Sequence, residues 1–332
     1  MGATMTNSEP NRLAVTYRRG ARWALAELVA SLPSIVLSAV LLAEVAALLA
    51  NWFAVVVLVL WAGSGPALLA WRRIALGAMA QWSAGHLPDE NERVTAAWAS
   101  VLASAGLPAD GVSVWVIESA TVNGAVHTGG HVTVTRHAVE VFTRRQLEAL
   151  LAHELGHRLQ GTATWRSLVR WYARPFECLV RLVFAPADLL MGWAVPRLSA
   201  FADRVLAALR YSYLGLVVAT ALLAGPAVLA YGTAACLGFA ALALLLGPWP
   251  AALATTLAAA QLLLRPQLWQ HGEYLADRVV VDLGYLDDFR VVLRVLHHRA
   301  EAPGPTEPPT LLATHPAPHS RLSAAEQYAR TR

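Results

Sequence analysis

The chain has 332 residues, of which 56% are hydrophobic and only 14% charged, and its mean hydropathy is +0.46. Soluble domains usually have about a quarter charged residues, so this composition excludes an ordinary soluble protein and indicates an integral membrane protein. The net charge of +4 is not a sign of nucleic-acid binding, because the basic residues, all arginines, flank apolar segments.

The N-terminal part of the chain predicts a pair of membrane helices. Residues 1–22 are polar and then basic, and we interpret them as a tail. Residues 23–71 are almost continuously apolar, which is enough for two membrane helices of about 20 residues each. We therefore predict a first transmembrane hairpin over 23–71, with its turn near Asn51.

Residues 72–210 are predicted to form the first part of a domain outside the first membrane hairpin. A helix is expected from 88 to about 105, and strands are expected at 112–117 and 132–135. These segments predict a small sheet beside a helix. They are followed in the chain by a segment rich in candidate metal ligands.

That segment reads H-E-L-G-H at 153–157 and follows a run typical of a helix. Residues four apart lie on one face of a helix, so His153 and His157 can both direct an imidazole nitrogen toward one point. Two neutral imidazoles one turn apart form half of a tetrahedral zinc site, and Glu154 is placed to act as general base on a metal-bound water. The alternative is a helix that carries these residues by chance, so the prediction needs support from elsewhere in the chain.

The stretch 165–204 repeats arginines at helical spacing, with aromatic and aliphatic residues between them. Pro175 and Pro186 are expected to interrupt the helix. Two interpretations fit the periodicity: amphipathic helices that lie in the membrane interface, or an ordinary amphipathic helix packed on the catalytic domain.

Residues 211–264 contain no charged side chain and predict a second transmembrane hairpin, with helices over about 212–231 and 235–263. Arginines stand at the span ends that face the soluble parts, and neither predicted turn carries one. By the positive-inside rule, we expect a multi-pass plasma-membrane protein with its termini and catalytic domain in the cytoplasm.

Residues 265–332 are predicted to form the second part of the catalytic domain and carry two acidic residues at helical spacing. A site with two histidine ligands takes a carboxylate from a second helix and leaves the fourth position to water, and Glu273 fits that role. Asp277 lies one turn on, where it can accept a hydrogen bond from the outer N–H of a ligating imidazole. The alternative for both residues is a solvated helix face.

Three segments together resemble the HtpX/CAAX-prenyl-protease family of integral-membrane zinc metallopeptidases: H-E-L-G-H at 153–157, E-Y-L-A-D at 273–277, and A-T-H-P at 313–316 with a later Arg-Leu. The resemblance covers about residues 86–325. It implies a mainly α, integral-membrane fold, with four transmembrane helices as two hairpins and a zincin-like α+β catalytic domain with a small sheet.

The resemblance also implies roles for further residues. His315 corresponds to a histidine that donates to the tetrahedral oxyanion, with stabilisation of its loop as the alternative, and Arg321 would anchor that loop to a carboxylate near the substrate. Asn123 matches the family's asparagine segment, although Gly124 replaces the usual hydrophobic residue after it. The strand with Val132 and Val134 would be the edge to which an extended substrate adds a strand.

These observations predict a zinc-dependent endopeptidase that cleaves membrane-associated or unfolded proteins at the cytoplasmic face. Its partners would be the lipid bilayer, one Zn²⁺ and a protein or peptide substrate, without nucleic acid; no oligomeric state is predicted. Three alternatives stay open: a signalling peptidase of the antibiotic-sensor type, a processing peptidase dedicated to one peptide, and a catalytically silent membrane scaffold. The scaffold has no need of Glu154, whereas the signalling peptidase would need an extracytoplasmic sensor domain.

Overall fold

The structure, a computed structural model, describes residues 12–108, 113–300 and 316–332. These ranges contain ten helices and three strands, so the fold is mainly helical with one small sheet. In chain order the elements are α1 (Arg12–Ala47), α2 (Asn51–His86), α3 (Pro88–Ser104), β1 (Val114–Ile117), β2 (Gly124–Val126), β3 (Val132–Thr135), α4 (Arg136–Val141), α5 (Arg144–Gln160), α6 (Thr162–Ala208), α7 (Tyr213–Leu246), α8 (Pro248–Asp282), α9 (Leu286–Ala300) and α10 (Pro318–Arg330).

Within the described ranges, four helical segments are long and apolar enough to cross a membrane. They are Leu25–Ala47 within α1 and the whole of α2, α6 and α7. The first two have the turn predicted near Asn51, although α2 continues as one helix to His86, well beyond the predicted end at residue 71.

The second apolar region differs from the prediction, because residues 232–234, where the turn between the two membrane helices was predicted, lie inside α7. The turn is at Gly247, whose φ is +87°, and Pro248 begins α8. Glycine adopts positive φ readily and proline suits the first turn of a helix, so this pair ends one helix and starts the next. Helix α8 then runs to Asp282 without a break, so its apolar N-terminal half and Glu273 belong to one helix.

The stretch 165–204 is one continuous helix, and the predicted interruptions at Pro175 and Pro186 were wrong. Proline removes one backbone donor, but membrane helices tolerate it where neighbouring groups satisfy the backbone. Next to Pro175, the amide of Phe176 donates to the hydroxyl of Ser38 over 3.0 Å. The 47-residue length of α6 therefore adds a candidate membrane span that the sequence interpretation did not include.

The sheet has the strand order β1-β3-β2, with β1 parallel and β2 antiparallel to β3. The predicted strand with Val132 and Val134 is thus the central strand, and both side chains are fully buried. The expectation that it forms the edge for a substrate was wrong, because its two neighbours already occupy both sides. The outer strand β2 was not predicted; it has only three residues and begins at a glycine.

The chain divides into two compact units. The first unit comprises the described residues up to 32, 60–171 and from 261 onward, and the second comprises 33–59 and 172–260. The first unit contains the sheet and a hydrophobic core built from α3, α5, α9 and the strands. Helix α5 lies within that core, so its central residues are held by packing from several elements.

Candidate metal centre

Helix α5 has defined ends on both sides of the H-E-L-G-H segment. At its start Thr143 and Gln146 form a capping box, which satisfies free backbone donors of the first turn. At its end Gly161 adopts the left-handed conformation with φ of +67°. Between these caps Leu147, Leu151 and Leu155 are almost completely buried. The segment is therefore presented from a rigid, fully packed helix.

Helix α8 approaches α5 very closely at Gly156. A Cβ atom added at Gly156 would lie 2.5 Å from the Cα and 2.9 Å from the Cβ of Ala276. Such distances leave no room for any side chain, so the two backbones are in contact there. This contact places Glu273, three residues before Ala276, opposite the two histidines of α5.

The structure brings His153, His157 and Glu273 together as a group able to hold a metal ion. The Nε2 atoms of the two histidines are 3.1 Å apart. Glu273 Oε2 lies 3.5 Å from His153 Nε2, and Glu273 Oε1 lies 3.3 Å from His157 Nε2. Ligand atoms in a tetrahedral site with bonds of about 2.0–2.1 Å are about 3.3 Å apart, so these residues fit a zinc-sized ion.

Asp277 contacts the outer nitrogen of His153. Its Oδ1 is 2.9 Å from His153 Nδ1, and Asp277 is only 1% exposed. A proton on Nδ1 that is donated to Asp277 leaves the lone pair on Nε2, which points toward the other ligand atoms. Among the described residues, the Nδ1 of His157 has no such partner. The orientation that the sequence predicted for Asp277 is thus present at one imidazole.

Arg321, on α10, closes the site from the other side. Its Nε and Nη2 donate to the two oxygens of Asp277 over 2.9 and 2.6 Å, and its Nη1 lies 3.2 Å from Glu273 Oε2. The side chain is buried, and its Nη2 also lies 3.2 Å from His153 Nδ1, so the guanidinium contacts Asp277, Glu273 and His153.

The charges of these buried groups affect one another's pKa values. Burial would raise the pKa of Asp277, but Arg321 and His153 hold it below its ordinary value. Burial and Arg321 lower the pKa of His153, but hydrogen bonds to Asp277 and Glu273 outweigh them and raise it to about 9. Asp277 and Glu273 therefore favour a positive charge on the ring of His153. The same negative charges would stabilise a divalent cation bound at His153 Nε2.

Glu154 is 5% exposed and lies against strand β2. A Cβ at Gly124 would be 3.0 Å from both the Cγ and the Oε1 of Glu154, so the backbone of β2 passes directly beside this carboxylate. Sequence interpretation noted Gly124 as a departure from the family pattern but missed this contact. The only local signal was a glycine at the start of a short run of small and β-branched residues.

The remaining predicted residues have different placements. Asn123 has an exposed side chain, while its N–H donates to Thr135 Oγ1 over 3.0 Å and its carbonyl accepts from the Thr135 amide. Val132 and Val134 are core residues of the sheet rather than residues of the site. His315 lies outside the described residues.

Comparison with known proteins gives one finding. A family model described as peptidase family M48 matches residues 88–329. No curated protein and no solved structure matches the chain. The matched range begins at α3 and includes both helices of the candidate metal centre.

The contact at Gly156 gives a test of the geometry. Gly156→Ala places a methyl group inside the backbone of α8, so we expect α5 and α8 to separate and metal binding to fall sharply. Overpacking of this kind typically costs about 1–3 kcal/mol of stability. Metal content by elemental analysis and thermal unfolding would measure both effects. The control is Gly77→Ala, in α2, where an added Cβ meets nothing within 4 Å; equal metal content in both variants would contradict the close approach.

Proposed function

The chain belongs to peptidase family M48, and from this membership and the geometry of the site we propose that it is a zinc-dependent endopeptidase of the membrane. Membership indicates metallopeptidase activity and confirms the resemblance found in the sequence. The observation that carries the proposal is the His-His-Glu group, together with Glu154, a buried carboxylate that directly follows His153 in α5 and lies against the outer strand of the sheet. Two imidazoles and one carboxylate at tetrahedral spacing favour zinc.

In this proposal His153, His157 and Glu273 hold the metal, and Asp277 and Arg321 hold the ligands in place. Zinc, when bound, lowers the pKa of a water to about 7 and polarises the scissile carbonyl. Glu154 accepts a proton from the attacking water on a carboxylate oxygen and passes it to the leaving amine. The donors of Arg321 already serve Asp277 and Glu273, so we assign it to positioning, and His315 stays the predicted donor to the oxyanion.

The outer strand β2 offers backbone groups to an extended substrate. In the ladder with β3, the amide of His127 donates to the carbonyl of His131, and the carbonyl of Asn123 accepts from Thr135. Backbone groups alternate along a strand, so the N–H and C=O of Gly124 and Val126 face away from β3. We propose that a peptide segment pairs with these groups, which positions its backbone beside Glu154.

Backbone pairing selects extended chains and depends little on their side chains. This mode suits unfolded proteins and segments that emerge from the membrane, which we propose as the substrate class. It also favours a general peptidase over the signalling and dedicated processing alternatives.

Two substitutions test the assignment of metal ligand and base. His157→Ala should lose the metal, since it removes one of the three protein ligands. Glu154→Gln should keep the metal but reduce turnover of an unfolded protein such as casein by about 10²–10⁴-fold, because only the general base is removed. Elemental analysis and cleavage rates of the purified proteins measure both.

Glu140→Gln is the matched control, because Glu140 is an exposed acidic residue of the neighbouring helix α4. No cleavage above background by the wild type would support the silent scaffold, turnover unchanged in Glu154→Gln would contradict Glu154 as the base, and a normal metal content in His157→Ala would contradict the assigned site.

Strand pairing is tested by removing one outward-facing amide. Val126→Pro deletes the N–H that faces away from β3, and proline is tolerated in such edge positions. The loss of one backbone hydrogen bond to the substrate should lower kcat/KM about fivefold at unchanged metal content. Ala125→Pro, which removes an amide directed at β3, should instead lower the unfolding temperature. An unchanged kcat/KM for Val126→Pro would exclude pairing at this edge.

We further propose that both parts of the metal centre lie on the cytoplasmic side. The turn between α1 and α2 and the turn at Gly247 carry no arginine, whereas Arg204 is in the last two turns of α6 and Arg210 stands between α6 and α7. The positive-inside rule therefore favours α7 and the first half of α8 as the second membrane hairpin. The apolar segment 248–264 has 17 residues, about 25 Å of helix, which is close to the hydrocarbon thickness.

Labelling of single cysteines in a cysteine-free background tests this topology. Cysteines at Asn51 and Trp249 should react with an impermeant thiol reagent in intact cells, and those at Tyr211 and Gln327 should not. All four side chains are exposed in the structure, so differences in labelling report on sidedness. Labelling of Tyr211 with protection of Trp249 would show that α6 and α7 form the second crossing pair; labelling of Gln327 would overturn the cytoplasmic site.

A further inference from the structure

One arginine of helix α5 has no part in the mechanism described above. Arg158 directly follows His157 and lies one helical turn beyond Glu154, so Arg158 and Glu154 share one face of α5. This face lies against the outer part of the sheet, because Gly124 of β2 is beside Glu154 and Gly130, after β2, is beside Arg158. Strand β2 and the turn that follows it therefore run along α5 from the candidate base to the arginine.

The turn after β2 supports the stem of the Arg158 side chain. The amide of Gly130 donates to the carbonyl of His127 over 3.0 Å, and Gly130 has a φ of +79°. A Cβ added at Gly130 would lie 3.0 Å from Nε and 3.6 Å from Cδ and Cγ of Arg158. The arginine therefore rests directly on the backbone of the turn, a close approach that a glycine permits. This contact restricts where the guanidinium can lie relative to β2.

Arg158 is half-buried and has no acidic partner. Within the described ranges, no residue forms an ion pair with Arg158 or accepts a hydrogen bond from it. Burial lowers the pKa of its guanidinium, and no carboxylate opposes this effect. A guanidinium binds a carboxylate through two parallel hydrogen bonds. The donors of Arg158 are thus open to a carboxylate from another molecule, one helical turn from Glu154.

The surroundings of Arg158 are also basic. His127 and His131 are the first and last residues of the turn, which contains no acidic residue, and Arg72 lies near them. Burial, His131 and Arg72 each lower the pKa of His127, which places these basic groups in one region. Such a region favours an acidic ligand over a basic one.

The dimensions of helices and strands locate this ligand relative to the reaction. Four helical residues, the separation of Glu154 and Arg158, rise about 6 Å. Two residues of an extended peptide span about 6.6 Å. A peptide that pairs with β2 and has its scissile bond beside Glu154 therefore brings a residue about two positions away close to Arg158.

We propose that Arg158 is a specificity-determining residue, which binds the carboxylate of an Asp or Glu side chain about two residues from the scissile bond. This role rests on the proposed peptidase function and on substrate pairing with β2. Strand pairing alone depends little on side chains, so Arg158 adds a preference at one position. The favoured substrates are extended segments of unfolded proteins with an acidic residue near the cleaved bond.

The experiment compares the purified full chain with Arg158→Gln. Each digests casein, and mass spectrometry of the fragments gives the residues around every cleaved bond. The wild type should favour bonds with Asp or Glu about two residues away, and Arg158→Gln should not. In a synthetic peptide with a favoured site, replacing that acid by its amide should lower the wild-type kcat/KM about tenfold, the loss expected for a hydrogen bond between charged groups. The same replacement should change the kcat/KM of Arg158→Gln less than twofold.

Two further variants separate recognition from a structural role. Arg158→Glu should favour a basic residue at the same substrate position, which a structural role would not produce. Arg294→Gln is the matched control, since Arg294 is an exposed arginine of α9 in the same compact unit, and it should keep the wild-type preference. If Arg158→Gln does not fold, Arg158→Lys replaces it: the charge is kept and the forked geometry is lost, so the tenfold preference should shrink. An undiminished preference in Arg158→Lys would overturn the forked site.

The outcomes distinguish this specificity from the peptidase function itself. Cleavage without an acidic preference, or with a preference that Arg158→Gln retains, would overturn the role of Arg158 and leave the peptidase intact. A fall in kcat/KM of Arg158→Gln that is equal for both peptides would show a structural role and also overturn it. No cleavage by the wild type would overturn the proposed peptidase, and the specificity with it.

Discussion

The contact between Gly156 and Ala276 is the constraint on which the candidate metal centre depends. The three candidate metal ligands come from two helices, with Glu273 more than a hundred residues after the histidines in sequence, and direct backbone contact between the helices brings Glu273 within reach of both histidines. A glycine at this point permits the contact, and the buried leucines of α5 prevent the helix from rotating away. The packing of α5 against α8 therefore fixes the relative positions of the candidate metal ligands.

The charged groups of the candidate metal centre also stabilise one another in the buried state. Asp277 is almost completely buried, and an unpaired carboxylate at such a position typically costs about 3–5 kcal/mol. Arg321 and His153 compensate this charge, while Arg321 also contacts Glu273. Because α10 supplies Arg321, this helix also belongs to the metal centre. Without Arg321 from α10, helices α5 and α8 alone would leave the carboxylates of Asp277 and Glu273 without this compensating charge.

The part of the site that depends on local periodicity was predictable from the sequence. The spacing of His153 and His157, and of Glu273 and Asp277, follows from one helical turn and needs no knowledge of the fold. The order of the strands depends on pairing between distant segments, so the sequence could identify β3 but not its central position. The pairing of Glu27 with Arg166 spans 139 residues, and nothing near either residue indicates the other.

The second membrane hairpin shows a different limit of prediction from the sequence. Gly232 and Gly247 both interrupt an apolar run, and the difference between them is the proline that follows Gly247 and begins α8. The sequence contained this signal, but Gly225 is also followed by proline and lies inside α7. Glycine and proline mark a turn only where the helices on both sides are long enough to pack, which is a property of the whole fold.

The position of Arg321 has a consequence for the order in which the protein acquires its site during synthesis. Arg321 follows His153 by 168 residues, and ribosomes add about 5–20 residues per second. For about 10–30 s helix α5 therefore exists without the arginine that compensates Asp277 and contacts Glu273. During this interval the carboxylate of Asp277 has no arginine to compensate it, so the candidate centre can be completed only after α10 has been synthesised.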